Sequence, residues 1–170
     1  MAYYKDINLS QRKDRNPNTN YMAPNNFEIT IDKLTKPSIG YTIVQCSVPS
    51  FDIGRAETAF STRNVPLHAD KINYGDLNVT FLVDENLDNY IELHDWMLAQ
   101  VIQNDEYDKD YKRRDIKIII NSSHNNKVRT VTLRGAFPTN ISEISLDSQI
   151  TDIGYATCQA TFAFAYFSID

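Results

Sequence analysis

The residues able to carry chemistry are few and lie far apart in the sequence. The histidines at positions 68, 94 and 124 fall on different predicted elements. No two of them have the i, i+4 spacing that would bring two metal ligands to one helix face. Cys46 and Cys158 each lie in an alternating pattern typical of a strand, which favours buried thiols over a nucleophile or a disulfide framework.

Other chemical motifs are also missing. The chain has five glycines and no glycine-rich phosphate loop. The acidic clusters at 84–85 and 105–108 do not have the alternating ligand spacing of a calcium loop. We therefore predict no catalytic residues, no metal site and no cofactor, and we expect the protein not to be an enzyme.

The length and net charge of the chain further narrow the class of protein. A chain of 170 residues suits one domain with a real core. The net charge is −5, of which residues 1–22 carry +2 and the remainder −7. An acidic body repels phosphates, so a nucleic-acid-binding protein of the usual kind is disfavoured. No apolar run reaches the roughly 18 residues of a membrane helix, and the N-terminal segment lacks the apolar core of a secretory signal. We expect synthesis and assembly in the cytosol.

Alternation of apolar and polar residues predicts a mainly β protein. It is clearest at 27–31, 72–83 and 157–166. One helix is predicted at about 86–104 and no strand–helix–strand repeat is seen, so we expect an antiparallel β-sandwich or barrel with one packed α-helix. A stripe at helical spacing is predicted to face the sheet. It comprises Leu87, Ile91, His94, Leu98 and Val101.

Two segments do not fit a compact core. Residues 1–25 are polar and form either a disordered tail or an arm that orders on a neighbouring subunit; residues 26–170 are predicted to form a single β-barrel domain. Residues 50–70 form an irregular loop in which Gly54 and Pro66 break any long element. Both segments contain more apolar residues than is usual for a solvent-exposed tail or loop, so we predict that they contact neighbouring subunits. The predicted contact residues are Tyr3, Tyr4, Ile7, Leu9, Phe51, Ile53, Phe60, Val65 and Leu67.

Two motifs resemble the tail tube protein of contractile-tailed, T4-like bacteriophages. The first is APNNFEITI at 23–31, and the second is VTLRGAFPTNISEISLD at 131–147. The second contains a family signature, interpreted as a turn, made of Gly135, Phe137, Pro138, Thr139 and Asn140. The order of elements from residue 25 onward also fits that family. Residues 1–22 look like an extension relative to it.

The resemblance implies the phage tail tube fold and a structural role. Subunits would form hexameric rings that stack into a tube inside a contractile sheath, with DNA passing through without sequence-specific binding. Partners would be further copies of the chain, the tail sheath protein and tube-initiating baseplate proteins, with no small-molecule substrate. The protein would reside in the virion tail after assembly in the host cytoplasm and serve genome ejection. The loop at 50–70 would contact the next ring, and a negative channel would repel DNA.

Three alternatives remain open from the sequence. A tube-initiating or tube-capping baseplate protein would share the fold. So would the ring protein of a bacterial contractile injection system. A ligand-binding or hydrolytic β-sandwich needs a pocket with convergent polar groups, and no such set is evident.

Overall fold

The protein is mainly antiparallel β-structure with a helix packed on it, as predicted. The structure is a computed structural model that describes residues 21–32, 40, 42–59, 62–101, 113–149 and 154–170. Among these residues, no helix has the length and apolar character needed to cross a bilayer. The strands are β1 (Phe27–Ile31), β2 (Ile43–Cys46), β3 (Phe51–Ala59), β4 (Asn64–Tyr74), β5 (Leu77–Leu82), β6 (Arg114–Asn121), β7 (Lys127–Ile141), β8 (Thr157–Ala163) and β9 (Tyr166–Ile169), and helix α1 spans Asp88–Val101.

The long strand β7 belongs to both halves of the sheet. Its first part pairs with β6 and β9, and β6 pairs with β1. Its last part pairs with β8, which continues through β5 to β2. Gly135 lies between the two parts with a φ of +64°, a conformation that favours glycine. β7 therefore bends at Gly135, and the two halves of the sheet pack against each other around one core.

The core lies between the two halves. Side chains that point inward from alternate positions are almost fully buried, and α1 covers the core with Leu93 and Trp96. The inward side chains are Ile29, Ile116, Ile118, Val131, Leu133, Leu77, Val79, Phe81, Cys158, Ala160 and Phe162. A void of about 10 Å³ lies among them, no larger than one water molecule requires. The interior is filled, and this void offers no room for a ligand.

Helix α1 buries a different face from the one predicted. Its buried residues are Asn89, Leu93, Trp96 and Ala99, whereas the predicted stripe is exposed. The buried and the exposed residues of α1 form two adjacent stripes, both at helical spacing. The stripe that contains Trp96 packs on the sheet because an indole buries more area than an aliphatic side chain. The Trp96 ring lies 5.8 Å from that of Phe162, centroid to centroid.

Asn89 is buried because its amide joins the helix to the sheet. Its Nδ2 donates to the Leu82 carbonyl at 2.7 Å and to the Thr42 hydroxyl at 3.3 Å, and its Oδ1 accepts from the Asp84 amide at 3.3 Å. Leu87, at φ 60°, precedes the helix in a left-handed conformation. The helix thus begins at Asp88, two residues later than predicted.

Candidate assembly surfaces

Strands β3 (Phe51–Ala59) and β4 (Asn64–Tyr74) pair as a long β-hairpin, so the prediction of an irregular loop at 50–70 was wrong. Among the described strands, β3 and β4 pair with each other alone and form a separate two-stranded sheet. The chain leaves β2 to form the hairpin and returns in β5, the neighbour of β2 in the main sheet. Gly54 lies at an irregularity in the pairing between Ile53 and Arg55, as glycines inside strands often do. Pro66 is accommodated because the two-stranded sheet leaves each strand one unpaired edge.

The base of the hairpin packs against the body of the same subunit. The Phe51 ring lies 6.1 Å from Phe167, and the Tyr74 ring lies 5.4 Å from Phe167 and 5.9 Å from Phe164, all centroid to centroid. These tilted and edge-on contacts are the arrangements that aromatic pairs favour. They fix the hairpin where it leaves the sheet, so part of the Phe51 surface is used within the subunit.

Beyond the irregularity, the hairpin has one apolar and one polar face. Pairing places Ala56 opposite Leu67 and Thr58 opposite Val65, and alternation puts these four on one face. The other face carries Arg55, Glu57, Ala59, Asn64, Pro66 and His68. Glu57 contacts Arg55 at 3.9 Å and accepts a hydrogen bond from Asn64 at 3.2 Å. We call the face of Ala56, Thr58, Val65 and Leu67 the distal apolar face.

Among the residues that the structure describes, no further strand or helix pairs with the hairpin to cover the distal apolar face. Leu67 is 50% exposed, and Ala56 and Thr58 are exposed as well. Two-stranded hairpins are marginally stable by themselves in water, and the described part of the chain supplies no third layer to the distal part of this one. A partner surface on this face would supply the missing contacts.

The structure tests the position of only some predicted contact residues. Phe51 and Ile53 lie near the hairpin base and are 62% and 54% exposed, and Val65 and Leu67 share the distal apolar face. The remaining predicted residues lie outside the described residues. They are Phe60, Tyr3, Tyr4, Ile7 and Leu9. Their contacts, and the boundary of the arm at residue 25, stay predictions.

Helix α1 presents a second apolar surface. Leu87 and the helical residues Ile91, Leu98 and Val101 are between 43% and 79% exposed. His94 also lies on this side and contacts Asp95 at 3.4 Å. The helical spacing of these residues indicated one continuous apolar stripe, but the stripe was predicted to face the sheet and not the surface.

The segment Gly135–Asn140 lies within β7, so its interpretation as a turn was wrong. Pro138 pairs with Phe162, and the register shifts before Asn140, which is where a strand can accommodate a proline. The Asp115 carboxylate accepts a hydrogen bond from the Gly135 amide at 3.0 Å and contacts the Arg134 guanidinium. Partial burial acts to raise the pKa of Asp115, but these two partners together hold it below its ordinary value. The segment therefore makes the bend between the two halves of the sheet.

The titratable side chains in the described part of the chain form no recognisable metal or catalytic site. No three of its His, Cys, Asp and Glu side chains are grouped to hold a metal ion. Cys158 is buried, with its Sγ 3.4 Å from the Ser142 carbonyl oxygen. Cys46 is half-buried, and burial raises the pKa of its thiol, which disfavours the reactive thiolate.

Comparison with known proteins defines the family. The family model for "Phage tail tube protein" matches residues 13–170. The chain belongs to the phage tail tube protein family. This confirms the predicted resemblance, and it implies a component of the virion tail. Tail tube proteins are structural, and the chain is not an enzyme, as predicted. The match begins inside the predicted arm.

Solved structures similar to this chain include chains of contractile injection systems. A chain of the sheath–tube complex of the extracellular contractile injection system PVC has a TM-score of 0.61 at 17% identity, over 97% of this chain and 99% of that one. A chain of the PVC sheath/tube terminator has a TM-score of 0.67 at 17% identity, over 89% and 99%. A chain of the anti-feeding prophage tube-terminating cap has a TM-score of 0.66 at 16% identity, over 88% and 91%. No curated protein matches the sequence.

Proposed function

We propose that this tail tube family member forms hexameric rings that stack into a tube within a contractile sheath. The distal apolar face of the β3–β4 hairpin carries this proposal. Its residues Ala56, Thr58 and Leu67 are exposed, it lies on the distal part of the hairpin, and the opposite face carries Arg55, Glu57 and His68. An apolar face of this kind is typical of a surface that a partner covers.

Stacking would use the hairpin as an axial contact. Its base is fixed to the subunit by Phe51, Tyr74 and Phe167, which leaves the distal half to contact a partner. Docking on the adjacent ring would cover Leu67 and Val65 and give the hairpin its missing layer. Repetition around the ring would add these small contributions together.

Closure of the ring would use the free edges of the sheet. In the described part of the chain, β1 and β2 end the strand order β1-β6-β7-β8-β5-β2. Unpaired edges invite association with other chains unless they are covered. Pairing with neighbouring subunits would satisfy these edges and join the sheets of one ring.

The remaining partners follow from this role. The outer surface of the tube would contact the sheath protein, and the first ring would dock on tube-initiating baseplate proteins. Assembly would take place in the host cytoplasm before genome ejection through the channel. The extension at 1–25 would be an arm that orders on a neighbour, and residues 26–170 would form the ring-building domain.

A second candidate is a tube-initiating or tube-capping protein, or the ring protein of a contractile injection system. The likeness to chains of the anti-feeding prophage cap and the PVC terminator favours it. These roles differ in how far assembly proceeds. A cap or initiator forms one ring and does not elongate, and an injection-system ring protein elongates without a phage genome to deliver.

Negative-stain electron microscopy of the concentrated purified protein tests the proposal. We expect rings at low concentration and tubes of many rings at high concentration. Monomers at every concentration would contradict the tube proposal. Single rings that do not elongate, even when short preassembled tubes are added as seeds, would favour the cap or initiator.

A further inference from the structure

The β3–β4 hairpin joins the main sheet at a crossing of two chain segments. At this crossing the Ser47 amide donates to the Asn78 carbonyl at 3.2 Å, and the Gly75 amide donates to the Ser50 carbonyl at 2.8 Å. Pro49 lies on the same segment as Ser47 and Ser50 and has no amide hydrogen to add to the pairing. The strand pairing is therefore interrupted here, and the backbone restrains the hairpin less than a continuous pair of strands would.

Aromatic side chains add restraint at the crossing. Four rings meet there, two from the hairpin and two from the segment that follows β8. They belong to Phe51, Tyr74, Phe164 and Phe167, which we call the aromatic cluster. The Phe167 ring lies 5.4–6.1 Å from each of the other three, centroid to centroid, and it also packs against the core. Phe167 therefore joins both strands of the hairpin to the body of the subunit.

Strand β9, which carries Phe167, has four residues and pairs with β7 along one edge. In the described part of the chain, no strand pairs with its other edge. Its bonds to β7 continue into a reciprocal backbone pair between Asp170 and Thr130, at 2.9 and 3.0 Å. Short edge strands open more readily than strands in the middle of a sheet, because fewer contacts hold them. The hairpin is thus held by a ring whose own strand has one strand neighbour.

We propose that β9 is a latch that sets the direction of the hairpin before rings stack. With β9 paired on β7, Phe167 holds Phe51 and Tyr74, and the distal apolar face points in one direction. With β9 detached, the hairpin pivots at the crossing near Pro49. An element that is already fixed loses less conformational entropy on docking, so the latched hairpin binds an adjacent ring more tightly. This consequence for stacking rests on the proposed function, whereas the coupling between β9 and the hairpin exists within one subunit.

The coupling must be reciprocal, which gives a test in the unassembled subunit. If β9 restrains the hairpin, the hairpin restrains β9 by the same free energy, and a residue that only fills the core would not show this. Phe167→Leu removes the ring on the β9 side and keeps an apolar side chain, and Phe51→Leu does the same on the hairpin side. Tyr166→Leu is the matched control, because it removes an exposed ring from the opposite face of β9, where Tyr166 pairs with Arg134.

Native-state hydrogen exchange of the monomeric protein measures the coupling. Phe167→Leu should speed exchange of the β3 and β4 amides about tenfold, and Phe51→Leu should speed exchange of the Asp170 amide by a similar factor. Amides of β5 and β8 should keep their wild-type rates in both variants, and Tyr166→Leu should leave the hairpin unchanged. Wild-type hairpin exchange in Phe167→Leu, or equal acceleration throughout the sheet, would overturn the latch. If Phe167→Leu does not fold, Phe51→Leu decides the matter, since Phe51 is 62% exposed, and wild-type exchange at Asp170 would then contradict the proposal.

Sedimentation over a series of protein concentrations tests the consequence for stacking. The concentration at which half of the protein pellets as tubes should rise at least about tenfold for Phe167→Leu and stay at the wild-type value for Tyr166→Leu. Tubes of Phe167→Leu at wild-type concentrations, from a subunit whose hairpin exchanges faster, would show that the latch does not control stacking. Failure of the wild-type protein to form tubes would contradict the proposed function, and the exchange rates would still decide whether β9 and the hairpin are coupled.

Discussion

Replacing Leu67 tests the stacking role of the hairpin most directly. Burying a whole leucine side chain stabilises a contact by roughly 1.5–3 kcal/mol. Because Leu67 is still 50% exposed in the subunit, covering the remainder on an adjacent ring contributes on the order of 1 kcal/mol per subunit. All subunits of a hexameric ring would dock together, so Leu67→Ala would cost on the order of 6 kcal/mol per ring. That loss lowers the association constant of a ring by about four orders of magnitude.

Leu67→Asp should prevent stacking altogether, because the carboxylate would also have to lose its water. The assay pellets tubes over a series of protein concentrations and counts rings per tube in negative stain. His68→Asp is the matched control, since His68 is adjacent in sequence and lies on the polar face of the hairpin. Both variants should melt at the wild-type temperature as subunits, because neither side chain belongs to the core. Long tubes from Leu67→Asp at wild-type concentrations would refute the stacking role of the distal apolar face.

Four further predictions concern the subunit itself. Gly135→Ala should lower the free energy of unfolding by about 1–2 kcal/mol in urea denaturation, because φ is +64° while the nearest atoms leave room for a Cβ. Asp115→Asn should remove a stabilisation that exists above the ordinary carboxyl pKa and disappears as the pH falls through the lower folded value; thermal melts of the two proteins should therefore differ at neutral pH and converge below about pH 4. Leu93→Ala should lower the free energy of unfolding by about 2–5 kcal/mol, whereas Ile91→Ala should lower it by no more than about 0.5 kcal/mol. Equal losses would indicate that the helix buries the face predicted from the sequence. Deletion of residues 1–22 should leave a folded subunit with a cooperative melt, and loss of that transition would place the arm in the core.

Strands with one covered face could be read from the sequence. Leu77, Val79 and Phe81 alternate with polar residues, as do Cys158 and Phe162, and the structure buries these residues. Alternation is informative here because one face of the sheet meets the core and the other does not. The same alternation, together with the absence of a strand–helix–strand repeat, correctly predicted a mainly antiparallel β fold.

Elements whose conformation depends on contacts with distant parts of the chain could not be predicted from local alternation. The β3–β4 hairpin has apolar groups on one face at its base and on the other face beyond the irregularity at Gly54, so no single alternation runs through it. Pro138 signalled a turn, yet it lies in β7 beside a register shift. Helix α1 has two stripes at helical spacing, and only the packing of Trp96 selects between them.

The two exposed apolar surfaces of the subunit suit partners that stay in place after assembly. Stationary partners can exclude water from an apolar surface, and the distal apolar face and the exposed side of α1 both offer apolar area. On the proposed function, the hairpin therefore belongs between rings, and the exposed stripe of α1 is the apolar surface left for a further stationary contact.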